Sequence, residues 1–182
     1  RLTELDVKLC KACYACLPQD KGCVIRDDME VLLAKIRAAD AVIIAAACYF
    51  LGPHTSIKVI GDRLLAVLAN RADFAGKRCV TAVVYGIAGW EGYSREAVTN
   101  FARFLHLDVV GGMLVRAASP GEAVRPEVLA EARELAGALT GEVKGAPGPQ
   151  GVCVCETCGS SLLQLSPSGD VRCVMCEAQG RL

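Results

Sequence analysis

Ala41-Val-Ile-Ile-Ala-Ala-Ala47 is a continuous apolar run with no polar alternation, the pattern of a strand buried on both faces of a parallel sheet. On either side of it the hydrophobic period changes to that of helices. Upstream, Met29 is followed by Leu32, Leu33 and Ile36 at offsets of three, four and seven, behind an Asp27-Asp28 pair that offers an N-cap. Downstream, Ile57, Ile60, Leu64, Leu65 and Leu68 predict a helix over residues 56–70. Cys79-Val-Thr-Ala-Val-Val-Tyr85 reads as the next strand, ended by Gly86. Ala97, Phe101, Phe104 and Leu105 mark another helix, and residues 107–115 read as a strand interrupted by Gly111-Gly112. Pro126 suits the first turn of a last helix carrying Val128, Leu129, Leu135 and Leu139. Alternating strands and helices imply an α/β fold, a doubly wound parallel sheet with helices on both sides.

The 182 residues carry 20 basic and 20 acidic side chains. Zero net charge removes any bulk attraction to nucleic acid or lipid. The sequence has no apolar run of about 18 residues that would suggest a membrane span. It opens on Arg1 with no charged-then-apolar leader before the first cysteines, so a cytoplasmic location is expected. Nine of the eleven cysteines sit in two terminal blocks, leaving Cys48 and Cys79 between them. That clustering reads as metal sites and not as a disulfide framework.

The first block is Cys10, Cys13, Cys16 and Cys23, a C-x2-C-x2-C-x6-C run. Three thiolates two residues apart can wrap one face of an inorganic cube, and the fourth can close its last corner. A [4Fe–4S] cluster is the favoured occupant. A zinc or redox-thiol loop, or cysteines without metal, remain open. The second block pairs Cys155-x2-Cys158 with Cys173-x2-Cys176 across the turn-rich Ser166-Pro-Ser-Gly-Asp170. Two such knuckles predict a four-thiolate site that folds a small zinc ribbon over residues 152–182, after a Gly/Pro linker at 141–151. Iron in a rubredoxin-like site is the alternative, but this tail has no Trp, Tyr or Phe to shield it. Arg172 and Arg181 against Glu156, Asp170 and Glu177 make the tail net acidic, which suits docking or structure better than phosphate. Cys153 is expected to be a spare thiol.

The order of cysteine loop, Val24-Ile-Arg-Asp-Asp-Met29, apolar strand, Tyr49-Phe50 and glycine-rich loop resembles the iron–sulfur flavoproteins of the flavodoxin-like NAD(P)H-dependent FMN reductase family, over roughly residues 1–140. The resemblance implies a flavodoxin-like domain, bound FMN, and a [4Fe–4S] cluster that exchanges single electrons with it. It places Ala46-Ala47-Cys48-Tyr49-Phe50 where the family has Ser-Pro-x-Tyr-Phe beside the flavin ring, with the aromatic pair kept and the Ser-Pro lost. Gly86, Gly89, Trp90, Glu91 and Gly92 fall on the second flavin loop. The candidate FMN contacts are therefore Cys48, Tyr49, Phe50, Gly86, Gly89, Trp90, Glu91 and Gly92. Lys58, Asp62 and Arg63 match a Lys and an Asp-Arg of the family and are expected to serve the helix or an interface. The family also implies a homo-oligomer, with a ferredoxin or NAD(P)H as electron donor.

One departure concerns the start. The family begins with a strand, a phosphate loop and a helix, whereas residues 1–9 here read as the second strand. The first strand and phosphate loop are expected to be missing, the sequence being N-terminally incomplete, which would open the centre of a 2-1-3-4-5 sheet. Two other functions stay open. One is an NAD(P)H-dependent FMN or quinone reductase with a non-redox cysteine loop, and the other a non-enzymatic metal-binding scaffold on a degenerate flavodoxin-like domain.

Overall fold

The decisive apolar run forms the strand β1 (Ala41–Tyr49). The computed structural model describes residues 1–17, 21–142, 153–157 and 160–181, and the chain divides into two compact units, residues 1–146 and 147–182. In the first unit α1 (Met29–Ala38) precedes β1, and the two-residue β2 (Gly52–Pro53) follows it. Then come α2 (Thr55–Arg63), β3 (Arg78–Tyr85), α3 (Ser94–Phe104), β4 (Asp108–Arg116) and α4 (Pro126–Thr140). The sheet order is β2-β1-β3-β4. Ala41 pairs with Arg78 and Ala47 with Val84 in parallel, and Arg78 pairs with Asp108 on the other side. Parallel strands need a crossover of about a dozen residues or more, and here helices supply it. The result is a flavodoxin-like α/β fold.

Two cores flank the sheet. Met29 and Leu33, Ile57 and Ile60, and Val98, Phe101 and Leu105 pack on one side with Ile44, Cys79 and Val83. Val80, Met113, Val115 and Leu135 form the other, closed by α4. Burial on both faces is what β3 shows, with Cys79, Val80, Thr81 and Val83 all buried. β1 departs from that expectation. Ile44 is buried, but its neighbour Ile43 is 66% exposed. The packing explains the difference, because the α4 core gathers residues of β3 and β4 and none of β1. An apolar run looks the same in sequence whether both its faces are covered or only one.

Residues 1–9 do not form the expected strand. Leu2–Glu4 is a short 3-10 helix, and the following residues are held by carboxylates instead of a ladder. Asp6 N donates to Asp28 Oδ2 (2.8 Å), Asp28 N donates back to Asp6 O (3.1 Å), and Lys8 N donates to Asp27 Oδ2 (2.9 Å). Among the described residues no strand pairs with residues 41–47 of β1 on the side away from β3, so a strand at the start would have no neighbour there to pair with. The predicted helix over 56–70 is also shorter. It is α-helical only to Arg63 and then tightens to a 3-10 helix, Leu64–Asp73. The Asp pair caps α1 unequally: Asp27 Oδ1 accepts from Met29 N (3.1 Å), while the Asp28 side chain makes no cap bond.

α4 starts at Pro126 and ends at Gly141, whose φ of 87° is the left-handed stop that glycine supplies. Gly112 has a different reason to be glycine. A Cβ there would lie 2.3 Å from Thr81 Oγ1 on the neighbouring strand. Gly112→Ala is expected to lower stability by about 1–3 kcal/mol through overpacking, measured by urea unfolding. Adding Thr81→Ala should restore part of the loss, because it removes the hydroxyl that the new Cβ would meet.

The second unit is an antiparallel sheet in the order β5-β6-β7, from Leu163–Leu165, Asp170–Cys173 and Gln179–Arg181. Its first turn is a knot of short polar bonds: Asp170 N donates to Ser166 Oγ (3.0 Å), and Ser168 Oγ donates to Asp170 Oδ2 (2.5 Å). The predicted linker lies, after Glu142, outside the described residues, as does Cys158. Among the described residues no helix is long and apolar enough to cross a membrane.

Candidate functional site

Cys10, Cys13, Cys16 and Cys23 line a single open pocket. Ala12 and Tyr14, on either side of Cys13, have positive φ of 48° and 53°. Left-handed backbone is rare for residues with a side chain. Alternating handedness turns successive N–H groups to one side, as around many iron–sulfur sites. The same pocket is lined by Val24, Ile25 and, from α2 and its extension, Asp62, Arg63, Leu65 and Ala66. Among the described residues, only Cys155, Cys173 and Cys176 bring three potential ligand atoms within 4.8 Å of one another. The amino-terminal thiols share a pocket, and four cysteine sulfurs on one pocket are the donor set that an iron–sulfur cluster takes.

Arg63, expected from sequence to serve the helix or an interface, is instead 2% exposed. Its NH1 donates to Asp27 Oδ2 (2.6 Å) and to Lys8 O (2.8 Å), and its NH2 to Asp27 Oδ1 (3.3 Å). The Asp27 side chain is wholly buried. Burial pushes the Asp27 carboxyl up, but the hydrogen bond from Arg63 and those from the Lys8 and Met29 amides outweigh it and hold the pKa below the ordinary value. Burial likewise works against the Arg63 charge, and the bond to Asp27 together with the adjacent Cys23 sulfur more than offsets it. The sequence does carry a signal for this pair. Arg63 follows Ile57 and Ile60 at steps of three, on the helix face that is buried, and a buried arginine needs a partner. Lys58 and Asp62 pair with each other on the exposed side of α2.

The second candidate region lies at the carboxyl ends of β1 and β3, where open α/β sheets bind ligands. Phe50 and Leu51 both have positive φ, 49° and 66°. The turn they make is locked to the loop after β3. Tyr93 N donates to Leu51 O (2.9 Å), and the Cys48 thiol points at Trp90 O (3.3 Å) and Glu91 O (3.5 Å). Gly92 has a φ of 53°, and a Cβ on it would lie 2.0 Å from Leu51 O. At Gly89 a Cβ would meet nothing within 4 Å, so that backbone stands bare. Phe50 is 91% exposed, and Tyr49, Trp90 and Tyr93 are more than half exposed as well. Glu91 Oε2 is buried without a hydrogen-bond partner among the described residues. Flat exposed rings beside bare backbone fit a planar heteroaromatic ring. Gly86 sits at the end of β3, with Ala118 Cα 3.8 Å from where its Cβ would be. Sequence reading misses Leu51 and Tyr93, which join the two loops. Burial pushes the Cys79 thiol up to about 12, so it is an inert core group.

In the second unit Cys155 Sγ and Cys176 Sγ are 3.5 Å apart, and Cys173 is 1% exposed. A tetrahedral ion with metal–sulfur bonds of about 2.3 Å has sulfur–sulfur edges of about 3.8 Å, so these thiols stand close to ligating positions. Cys155 N donates to Ser160 O (2.8 Å), and Glu177, with a φ of 62°, donates its N–H to Cys173 O (3.0 Å). Cys153 is exposed.

A parallel α/β sheet with a cysteine-lined pocket and an aromatic cradle beyond its strand ends is the frame of a flavodoxin-like redox protein. The family model of the NADPH-dependent FMN reductases matches residues 1–119, and the chain belongs to that family. An iron–sulfur flavoprotein of Methanosarcina thermophila is 36% identical over 114 residues, which are 63% of this chain and 56% of that protein. Another, of Archaeoglobus fulgidus, is 35% identical over 88 residues, 48% of this chain and 39% of its own. The chain thus spans about half or less of the length of the curated relatives it matches. Among solved structures, a flavone reductase superposes with a TM-score of 0.72 at 18% identity, over 99% of this chain and 64% of that one, a likeness of fold.

Proposed function

We propose that this chain is an electron-transfer flavoprotein that holds a [4Fe–4S] cluster on Cys10, Cys13, Cys16 and Cys23 and FMN against Tyr49, Phe50 and the loop from Gly86 to Gly92. The observation that carries this reading is the convergence of all four cysteines on one pocket. When bound, FMN supplies exchange between one- and two-electron partners, and the cluster supplies one-electron carriage. The protein's own work is placement. The left-handed residues at Ala12 and Tyr14 fold the cysteine run, and the Cys48 and Tyr93 bonds fix the two cradle loops against each other. Gly89 leaves room for a ring edge, Gly92 lets its loop close on Leu51, and Trp90 or Tyr49 covers the ring's face. No acid, base or nucleophile of the protein is required.

The tail from residue 152 to 182 is a zinc ribbon on Cys155, Cys158, Cys173 and Cys176, following a linker and a first domain of residues 1–140. The donor is NAD(P)H, in line with the family's description, or a ferredoxin-type carrier. The exposed aromatic patch favours a homo-oligomer in which another surface covers the flavin. Anaerobically purified protein is expected to contain about four irons and four acid-labile sulfides per chain, and Cys13→Ala to lose them while the helices remain. Zinc without sulfide after cluster reconstitution would rule this out. For the flavin, Trp90 is the chain's one tryptophan, so FMN should quench its emission on titration. Gly92→Ala, which forces the loop off Leu51, is expected to weaken that binding at least about tenfold, a cost of about 1.4 kcal/mol.

A further inference from the structure

We propose that Arg63 is a hydrogen-bond donor to the sulfur at the Cys23 corner of the cluster, and that it positions that corner and raises the cluster's reduction potential. This rests on the iron–sulfur reading of the cysteine loop. Arg63 lines the pocket formed by the four cysteines and is only 2% exposed. Its terminal nitrogens are engaged by Asp27 and the Lys8 carbonyl. Its Nε–H is buried with no partner among the described residues. An unmet guanidinium donor in the interior is costly, and native structures seldom leave one so. The acceptors at hand are the cysteine sulfurs that line the same pocket, Cys23 among them. A thiol is a weak acceptor, whereas a thiolate bound to iron is a strong one. The orphaned donor therefore acquires its partner when the loop is loaded.

The direction of the effect follows from charge. Reduction adds one electron to the cluster, and a donor aimed at its sulfur stabilises the more negative state, so the potential rises. The size is moderated by Asp27, whose carboxylate sits 2.6 Å from the same guanidinium and cancels most of its net charge. What remains is the local dipole of an N–H···S bond. Removing it should lower the reduced-to-oxidised ratio at a fixed solution potential about tenfold, which is about 59 mV for one electron.

The test uses the anaerobic holoprotein reduced with dithionite. Pulsed EPR of protein labelled with 15N-arginine should show a 15N coupling to the reduced cluster. Arg26→Lys, at the other arginine in this loop, should leave that coupling intact. A redox titration of Arg63→Gln combined with Asp27→Asn, which removes both charges together, should show the tenfold shift toward lower potential and no coupling. Absence of the 15N signal in the unaltered protein overturns the proposal whether or not the variant folds. So does an unmoved potential in a variant whose circular dichroism and iron content match those of the parent. A parent protein that takes up no iron and sulfide overturns the cluster reading beneath it, and that is seen before any variant is made.

Discussion

Arg63→Met should destabilise the flavodoxin-like unit by about 3–5 kcal/mol, the cost of leaving one partner of a buried ion pair uncompensated. Asp27 would keep its amide bonds from Lys8 and Met29 but lose the guanidinium, with its side chain still wholly buried. Denaturant unfolding monitored by circular dichroism measures the loss. The pH dependence gives a second check. Asp27 is held below its ordinary pKa in the folded protein. Its contribution is therefore present above the unfolded value of about 3.9 and is lost as the pH falls through the lower folded value. In the Arg63→Met variant the sign reverses, because a buried carboxylate without its cation prefers to be protonated. The gap between parent and variant should narrow in acid. A gap independent of pH between about 3 and 7 would show that packing, not charge, holds this corner.

The other large effect is expected in the tail. Three short strands, of three, four and three residues, bury too little apolar surface to fold alone. Metal on the zinc site proposed above, worth about 10–16 kcal/mol in comparable small sites, would supply the deficit. Stripping the metal with a strong chelator, or replacing the buried Cys173 by Ser, should melt β5, β6 and β7 together. Amide exchange across residues 163–181 should become fast while the β3 and β4 amides stay protected. Protection unchanged after complete removal of metal would show that the turn bonds around Asp170 suffice.

The elements with strong periodicity are readable from the chain alone. β3, α3 and α4 are framed by Gly86, by the Phe101 and Leu105 spacing, and by Pro126, each a local signal. The departures arise where neighbours decide the outcome. Ala41 to Ala47 carries no mark of being covered on one face only, because coverage depends on where α4 docks. Residues 1–9 have strand composition but no described strand beside them, so side-chain carboxylates take over their amides. In the candidate sites, cysteine spacing and glycines are visible in one dimension. The Arg63–Asp27 pair joins residues 36 positions apart. Only the helical phase of Arg63 hints that it faces inward.

The same pair has a consequence for assembly. Lys8 and Asp27 stand just outside the cysteine run, and the Lys8 N–H to Asp27 bond, with Arg63 bridging both, ties the two ends of that run together. Closing a free segment of this length costs about 2–3 kcal/mol in chain entropy, and here the fold meets that cost before any iron arrives. On the cluster reading proposed above, the four thiols would therefore act as one preassembled multidentate site. Iron capture should then be first order in a single encounter, with later ligands closing faster than competing thiols can intervene.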